Sequence, residues 1–448
     1  MIFLKKLTPF TLPFLLAACG NDDLDPDAIN APDIYEFTSV TDPSAISSVD
    51  YKDATTRLVL IKELEHLLNS DYLQRYAEDN GKEAAVALLN RVYEGGTKLD
   101  FSDNLISVNL YDDSSTPTPI QSINFTNETA TFSSLSENIN LKEAMPGIRI
   151  NLPLRKIVNG AYVGEFLGWS IININNGDAF PNTMIQQWFD KIATLATDTD
   201  NSGEFDTTTQ FSESNINYRD LIITFLSASI PYSEITNIHL NTDGLTADNS
   251  QNDSSLPYTQ LEHHWDMAFG YFGTRVTAKN ESLENIAATA NNSVNLVNEM
   301  VFDTAAATAQ RDLDAVSGTS YLSRSIIKSA LTGRQLISSN RTSQLDSYSK
   351  IISDSWEKTL AATLIHHING TIDNGLTPNF DHWSHMKAYS LALQFNPNTS
   401  MPIDTMRNIL NSFGTTPGSD QDYLINIFNI RSVIQKNYQF PIDDSKNW

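Results

Sequence analysis

Long stripes of apolar residues at helical spacing constrain the fold of this chain more than any other feature. Apolar residues recur at steps of three and four over about six turns, the pattern of a helix with one buried face. One stripe contains Leu283, Ile286, Ala290, Val294, Val297, Val301 and Ala305, and a second contains Leu345, Tyr348, Ile352, Trp356, Leu360, Leu364 and Ile368. Gly370 follows the second stripe and predicts the end of its helix.

Shorter stripes predict further helices along the chain. They span residues 60–76, 184–195, 221–230, 403–413 and 424–434. Between residues 101 and 178, by contrast, apolar residues alternate with period two and prolines interrupt any helix, which predicts long loops and a few short strands. We therefore predict a mainly α fold, built from antiparallel helical bundles with long loops and at most a few short strands.

The N-terminus has the composition of a lipoprotein signal. Lys5 and Lys6 precede an apolar run that is too short to span a bilayer, and the run ends in the lipobox-like sequence Leu-Ala-Ala-Cys at Cys19. This predicts a signal peptide over 1–18, a lipid anchor on Cys19 and a flexible acidic tether over 19–33. Gly20 resembles the residue that directs lipoproteins to the outer membrane, where the domain would face the periplasm or the cell surface. The alternative is that Cys19 is a buried free thiol.

The rest of the chain is assigned to one large domain over 34–440, with a tail over 441–448. Residues 101–178 are assigned to a loop-rich insert in this domain, and a division of the domain into two bundle halves is left open. With 29 Lys and Arg against 54 Asp and Glu, the net charge is −25, which argues against nucleic-acid binding. The expected partners are the membrane, through the lipid on Cys19, and an outer-membrane receptor.

The motif search excludes several functional classes. The single cysteine rules out a disulfide framework and a cysteine-rich metal site. The sequence also lacks a P-loop, a GxGxxG motif, an HExxH motif and a GxSxG elbow, so the common nucleotide-binding, zincin and hydrolase signatures are absent.

Histidine pairs are the main candidates for a metal site. Six of the eight histidines fall into three pairs, His263 with His264, His366 with His367, and His382 with His385, and carboxylates flank the first and third pairs. Mixed histidine and carboxylate ligands at helical spacing hold iron, zinc or manganese in helical bundles. The candidate ligands for iron or zinc are Glu262, His263, Asp266, His367, Asp381, His382 and His385. The alternative is that these histidines are buried and hydrogen-bonded to a carbonyl or a carboxylate.

A second metal candidate is an acidic segment that resembles an EF-hand calcium loop. Oxygen-bearing side chains alternate along it around Gly203, which allows the sharp turn. The candidate Ca²⁺ ligands are Asp198, Asp200, Ser202, Glu204 and Asp206. Thr209 stands where an EF-hand has its bidentate Glu, and the alternative interpretation is an acidic loop exposed to solvent.

Two sequence strings carry a resemblance to a known family. The strings run from Glu262 to Gly273 and from His382 to Pro397, and they resemble a family of bacterial lipoproteins, the domain of unknown function 4856, over about residues 33–440. That family is similar to the imelysins, which implies a helical lipoprotein linked to iron acquisition. Imelysins carry a GxHxxE motif, and this chain has the related pattern H-x-x-D at His263 and Asp266, with Leu261 in place of the glycine.

Three hypotheses follow. The first is an imelysin-like lipoprotein, anchored in the outer membrane, that binds a metal or an iron complex in iron acquisition. The second is a structural or partner-docking lipoprotein without a small ligand. The third and least favoured is a metal-dependent hydrolase, for which Glu262 is the only neighbouring candidate for a general base.

Overall fold

A computed structural model gives the fold of most of the chain. The residues it describes are 31–44, 47–69, 71–95, 136–147, 155–156, 162–163, 166–169, 180–198, 210–272, 322–375 and 380–448. Residues Ala31–Trp448 form one compact unit.

Helices dominate the described residues, which confirms the predicted mainly α fold. The first half contains α1 (Lys52–Asn69), α2 (Tyr72–Asn80), α3 (Lys82–Glu94), the short α4 (Leu141–Ala144) and α5 (Pro181–Ala196). The middle contains α6 (Tyr218–Ser233), which continues into a π-helical segment over Glu234–His239, then the short α7 (Thr242–Leu245) and α8 (Gln260–Gly270). The last part contains α9 (Leu322–Ser338), a 3₁₀ turn over Thr342–Gln344, α10 (Leu345–Asp373), α11 (Phe380–Ala392), α12 (Ile403–Phe413), α13 (Gln421–Tyr438) and α14 (Ile442–Asn447).

Most of the apolar stripes predict these helices well. The second long stripe forms α10, and every residue of that stripe is buried. The predicted helix at 60–76 is instead two helices, α1 and α2, which are separated near Asp71. Helix α10 also continues past Gly370 to Asp373, so the prediction that Gly370 ends the helix is wrong. The stripe from Leu283 to Ala305 lies outside the described residues.

The described strands form two short antiparallel hairpins. Strand β1 (Arg155–Lys156) pairs with β2 (Tyr162–Val163), inside the segment predicted to hold short strands. Strand β3 (Ser212–Glu213) pairs with β4 (Ile216–Asn217). Both residues of the turn between β3 and β4, Ser214 and Asn215, have positive φ angles of 53° and 63°. That is the backbone that a two-residue hairpin turn requires.

Helix α10 is the centre of the C-terminal half and positions the histidines discussed below. It packs against α9, α11 and α13, and α11 in turn packs against α6. Residues 441–448, assigned to a tail from the sequence, contain α14, which packs on α10. The side chain of Asn369 donates hydrogen bonds to the backbone carbonyls of Ser445 and Trp448, at 3.0 and 2.8 Å. Among the described helices, none has both the length and the apolar character needed to cross a membrane.

Candidate metal site

Three histidines from two helices meet at one point of the structure. His366 and His367 lie near the C-terminal end of α10, and His382 lies in the first turn of α11. One ring nitrogen from each of the three lies within 4.8 Å of the other two. The Nδ1 atoms of His367 and His382 are only 3.1 Å apart. We call these three residues the histidine triad.

Gly370 allows the two helices to bring these rings together. A Cβ atom at this position would lie 2.5 Å from the His382 ring, closer than non-bonded atoms approach. His366 and Gly370 are four residues apart on α10, so they share a face of the helix. The absence of a side chain at Gly370 therefore leaves the space that the His382 ring occupies beside His366 and His367.

The geometry of the triad is compatible with tetrahedral coordination. Zinc–nitrogen bonds of 2.0–2.1 Å place ligand nitrogens about 3.3 Å apart in a tetrahedral site. The separation between His367 and His382 is close to that value, and the remaining nitrogen separations are no more than 4.8 Å. His367 is only 4 % exposed, whereas His366 and His382 are half-buried. The triad thus lies at the edge of the core, where a fourth ligand from solvent can reach a bound ion.

His385 lies beside the triad but faces other partners. Its ring stacks on the ring of His367, with centroids 4.5 Å apart and planes 20° apart. Its Nδ1 atom forms a short hydrogen bond with the hydroxyl of Thr224 on α6. Its Nε2 atom lies 3.8 Å from Oδ2 of Asp220. The other oxygen of that carboxylate, Oδ1, accepts from Arg219, through Nε at 2.8 Å and Nη2 at 2.7 Å. His385 therefore supports the orientation of the His367 ring from outside the triad.

The first histidine pair lies in a different part of the protein, on α8. The ring of His263 stacks on Tyr258, with centroids 4.7 Å apart and planes 9° apart. The Nδ1 atom of His264 lies 3.1 Å from the Nδ1 atom of His239. Burial lowers the pKa of His264, and the neighbouring His263 lowers it further. The three pairs thus do not converge on one site. The second pair meets His382 of the third pair, and the first pair does not belong to that group.

Glu262 and Asp266 are partners of a buried arginine. Both carboxylates and Arg334, from α9, have fully buried side chains. Arg334 donates to Asp266 at 2.8 Å through Nε and to Glu262 at 3.1 Å through Nη1. Asp266 also accepts a hydrogen bond from the hydroxyl of Tyr35 at 2.8 Å. Because a buried arginine requires paired charges, these contacts account for both carboxylates without a metal.

The remaining hydrogen bonds of Glu262 attach the N-terminal segment to α8. Its carboxylate accepts from the hydroxyl of Ser39 at 2.8 Å and from the backbone N–H of Val40 at 3.0 Å. It also accepts from the backbone N–H of Thr259, which completes a capping box at the start of α8. With its side chain closed off from solvent, Glu262 is not placed to act as a general base.

Several predicted residues lie outside what the structure describes. These are Cys19, the side chain of Asp381, and the residues Asp200, Ser202, Glu204 and Asp206 of the acidic segment. Asp198 is described and follows the C-terminal end of α5. The calcium loop and the lipid anchor therefore stay predictions.

Three residues that take part in these contacts are absent from the ligands that the sequence predicts. His366 belongs to one of the histidine pairs, but only its neighbour His367 continues the apolar stripe of α10, so the stripe favours His367 alone. Gly370 follows the end of that stripe, and its spacing of four from His366 places both residues on one face of α10. Arg334 lies 68 residues from Asp266 in the chain, and no local pattern indicates that contact.

Comparison with known proteins identifies a family that this chain matches. A family model described as "Domain of unknown function (DUF4856)" matches residues 179–415, more than half of the 448 residues. The matched region contains the histidine triad, Gly370 and His385. It excludes the N-terminal part of the resemblance noted above, which began near residue 33. No curated protein matches the chain, and no solved structure does.

Proposed function

We propose that this chain, which belongs to the DUF4856 family, is a lipoprotein of the bacterial envelope whose helical domain binds a divalent transition-metal ion at His366, His367 and His382. The observation that carries the proposal is the approach of three imidazole nitrogens to within 4.8 Å of one another. Imidazole is the commonest metal ligand among side chains, and three such ligands with an open fourth position form a standard zinc site.

The ligand chemistry favours a borderline cation. Neutral imidazoles suit Zn²⁺, Cu²⁺, Ni²⁺ and Fe²⁺, whereas Ca²⁺ and Mg²⁺ prefer oxygen ligands. At a given site, zinc binds more tightly than Fe²⁺ in the Irving–Williams order, so zinc is the ion to test first. The resemblance to imelysins supports iron acquisition as the physiological setting, with Fe²⁺ or an iron complex as the natural ligand.

The location is also part of the proposal. Lys5, Lys6 and the lipobox-like sequence ending at Cys19 support export and lipid attachment, and Gly20 supports sorting to the outer membrane. The acidic tether would then hold the metal-binding domain in the periplasm or at the cell surface, near an outer-membrane receptor.

One observation favours a second candidate, a structural or partner-docking domain without a metal. The 3.1 Å between the Nδ1 atoms of His367 and His382 is also the length of a direct N–H···N hydrogen bond. In that case the N–H of one ring donates a hydrogen bond to the bare nitrogen of the other ring, and the contact joins α10 to α11 without an ion. The two candidates differ in whether a cation competes for those nitrogens.

Metal titration of the purified full-length chain in detergent separates the two candidates. After treatment with a chelator, Zn²⁺ is titrated by calorimetry and Co²⁺ by its visible absorption, which reports coordination number. We expect one equivalent of each ion, with the Co²⁺ spectrum of a four-coordinate site.

Three variants and one control assign the ligands. His366→Asn, His367→Asn and His382→Asn should each weaken zinc binding at least about 100-fold, because even outer-shell changes cost 10–100-fold. His263→Asn, which alters a histidine of the separate pair on α8, should bind zinc as the wild type does. Zinc binding that is absent, or that survives all three triad substitutions, would favour the domain without a metal.

A further inference from the structure

Helix α13 exposes two large apolar side chains to solvent. Ile425 is 49 % exposed and Phe428 is 46 % exposed, and their spacing of three residues places them on one face of the helix. The other large apolar side chains that are exposed among the described residues lie on different elements. The opposite face of α13 contains the buried residues Ile427, Ile430, Ile434 and Tyr438. Packing of α13 within its own chain therefore does not account for the exposed pair.

The ring of Phe428 is held in place on this surface. The guanidinium group of Arg431 lies over the ring, 4.5 Å from its centroid. The Nη1 atom of the same guanidinium donates a hydrogen bond to Oδ1 of Asn369 on α10, at 2.8 Å. An aromatic ring that is already oriented loses little conformational entropy when a partner covers it, and such rings are typical anchors of protein interfaces.

Charges of opposite sign lie on either side of this apolar centre. Asp422 lies in the first turn of α13 and Lys436 lies in its last turn, and both are exposed. Asp422, Asn429 and Lys436 are spaced by seven residues, close to two helical turns, so they lie on the same face as Ile425. Although the chain as a whole has a net charge of −25, this face pairs one acidic residue with one basic residue.

The exposed face is self-complementary when two copies of α13 pack antiparallel. A two-fold axis at Asn429 sets each residue opposite the residue that lies equally far on the other side of that position. Asp422 of each copy then lies opposite Lys436 of the other copy. The two Phe428 rings lie beside the axis, about 3 Å apart along the helices. A parallel pairing would instead set like charges opposite each other, which is unfavourable.

We infer that two copies of this chain associate through α13, packed antiparallel, with Ile425 and Phe428 at the centre of the contact. Burial of the apolar centre supplies the affinity, and the two flanking charge pairs set the register. One helix face is smaller than the interface of a stable dimer, which buries about 1,200–2,000 Å². The dimer is therefore weak, with a dissociation constant of about 1–100 µM.

Sedimentation equilibrium of the full-length chain tests the inference, in a detergent whose density matches that of the buffer. A salt concentration of about 0.15 M reduces the Debye length to about 8 Å and so screens the repulsion between two chains of net charge −25. A chelator is present throughout, so the result does not depend on the proposed metal site. We expect a reversible equilibrium between monomer and dimer.

Two substitutions at the apolar centre locate the contact. Ile425→Gln and Phe428→Gln should each raise the dissociation constant at least about 5-fold, the effect of removing one central apolar side chain from an interface. Phe180→Gln is the matched control, because Phe180 precedes α5 and is 57 % exposed. It should leave the dissociation constant unchanged, and circular dichroism melting verifies that all three variants fold.

Two charge variants test the antiparallel register. Asp422→Lys makes both ends of the face basic and Lys436→Asp makes both ends acidic, so each variant alone should dimerise at least about 5-fold more weakly than the wild type. An equimolar mixture of the two should dimerise about as well as the wild type, because opposite charges then face each other at both ends. The inference is overturned if the chain stays monomeric over the stated concentration range, if the two variants at the apolar centre dimerise as the wild type does, or if mixing the charge variants restores nothing.

Discussion

Substitution of Gly370 by alanine tests how the fold builds the histidine triad. The added Cβ would lie 2.5 Å from the His382 ring, where ordinary contacts are 3.4–4 Å, so the ring must move by about 1 Å. Alanine also favours a helix over glycine by roughly 0.5–1 kcal/mol. Overpacking of this kind typically costs about 1–3 kcal/mol, so the net change in unfolding free energy should be a loss of about 0–2.5 kcal/mol.

The effect on the metal should exceed the effect on stability. A displacement of about 1 Å takes the His382 nitrogen out of bonding distance, because zinc–nitrogen distances in proteins vary by only about 0.2 Å. We therefore expect Gly370→Ala to weaken zinc binding at least about 10-fold, measured by calorimetry on the full-length chain, together with a small change in the melting temperature.

Gly333→Ala is the matched control. Gly333 lies on α9, and a Cβ there would collide with the ring of Trp265, so this variant also overpacks a helix contact. It should lower the melting temperature and leave zinc affinity unchanged. If Gly370→Ala binds zinc as tightly as the wild type, the close approach of α10 and His382 is not what forms the site.

Three further predictions concern other parts of the chain. Burial raises the pKa of Glu63 to about 8, so this carboxyl keeps its proton in the folded protein at a pH where the unfolded chain has lost it. The free energy of unfolding should therefore fall by about 3 kcal/mol from pH 4.5 to pH 7. Glu63→Gln should remove that pH dependence, measured by urea denaturation. Arg334→Met should cost about 3–5 kcal/mol in the same assay, because it leaves two buried carboxylates unpaired, and zinc affinity should not change. Millimolar Ca²⁺ should raise the melting temperature of the wild type but not of the Asp198→Ala, Asp200→Ala double variant; identical melting curves for both would show that the acidic segment is an ordinary loop.

The helices are predictable because periodicity depends only on local sequence. Residues at every third or fourth position share a helix face, so the apolar stripes alone identify α5, α6, α10, α12 and α13. Helix ends are less predictable, as Gly370 illustrates. A glycine in the sequence indicates a missing side chain, and only the packed structure shows whether that space ends a helix or admits a neighbouring ring.

The composition of the site depends on tertiary contacts that no spacing reveals. His367 and His382 are identifiable because both continue apolar faces. Glu262 and Asp266 look like metal ligands because they flank histidines, yet in the fold both bind Arg334 from α9. A carboxylate beside a histidine in the sequence can bind either a metal ion or a basic side chain of the same chain. Only the tertiary structure shows which of the two it binds.

The central claim, a metal held by His366, His367 and His382, is tested most directly by X-ray absorption at the zinc edge of the zinc-loaded full-length chain. We predict a first shell that includes three nitrogens at about 2.0–2.1 Å, with the outer-shell scattering of imidazole rings. In His382→Asn, loaded at the same zinc concentration, the imidazole contribution should fall. A first shell dominated by oxygen, or one that is the same in the wild type and in this variant, would contradict the claim.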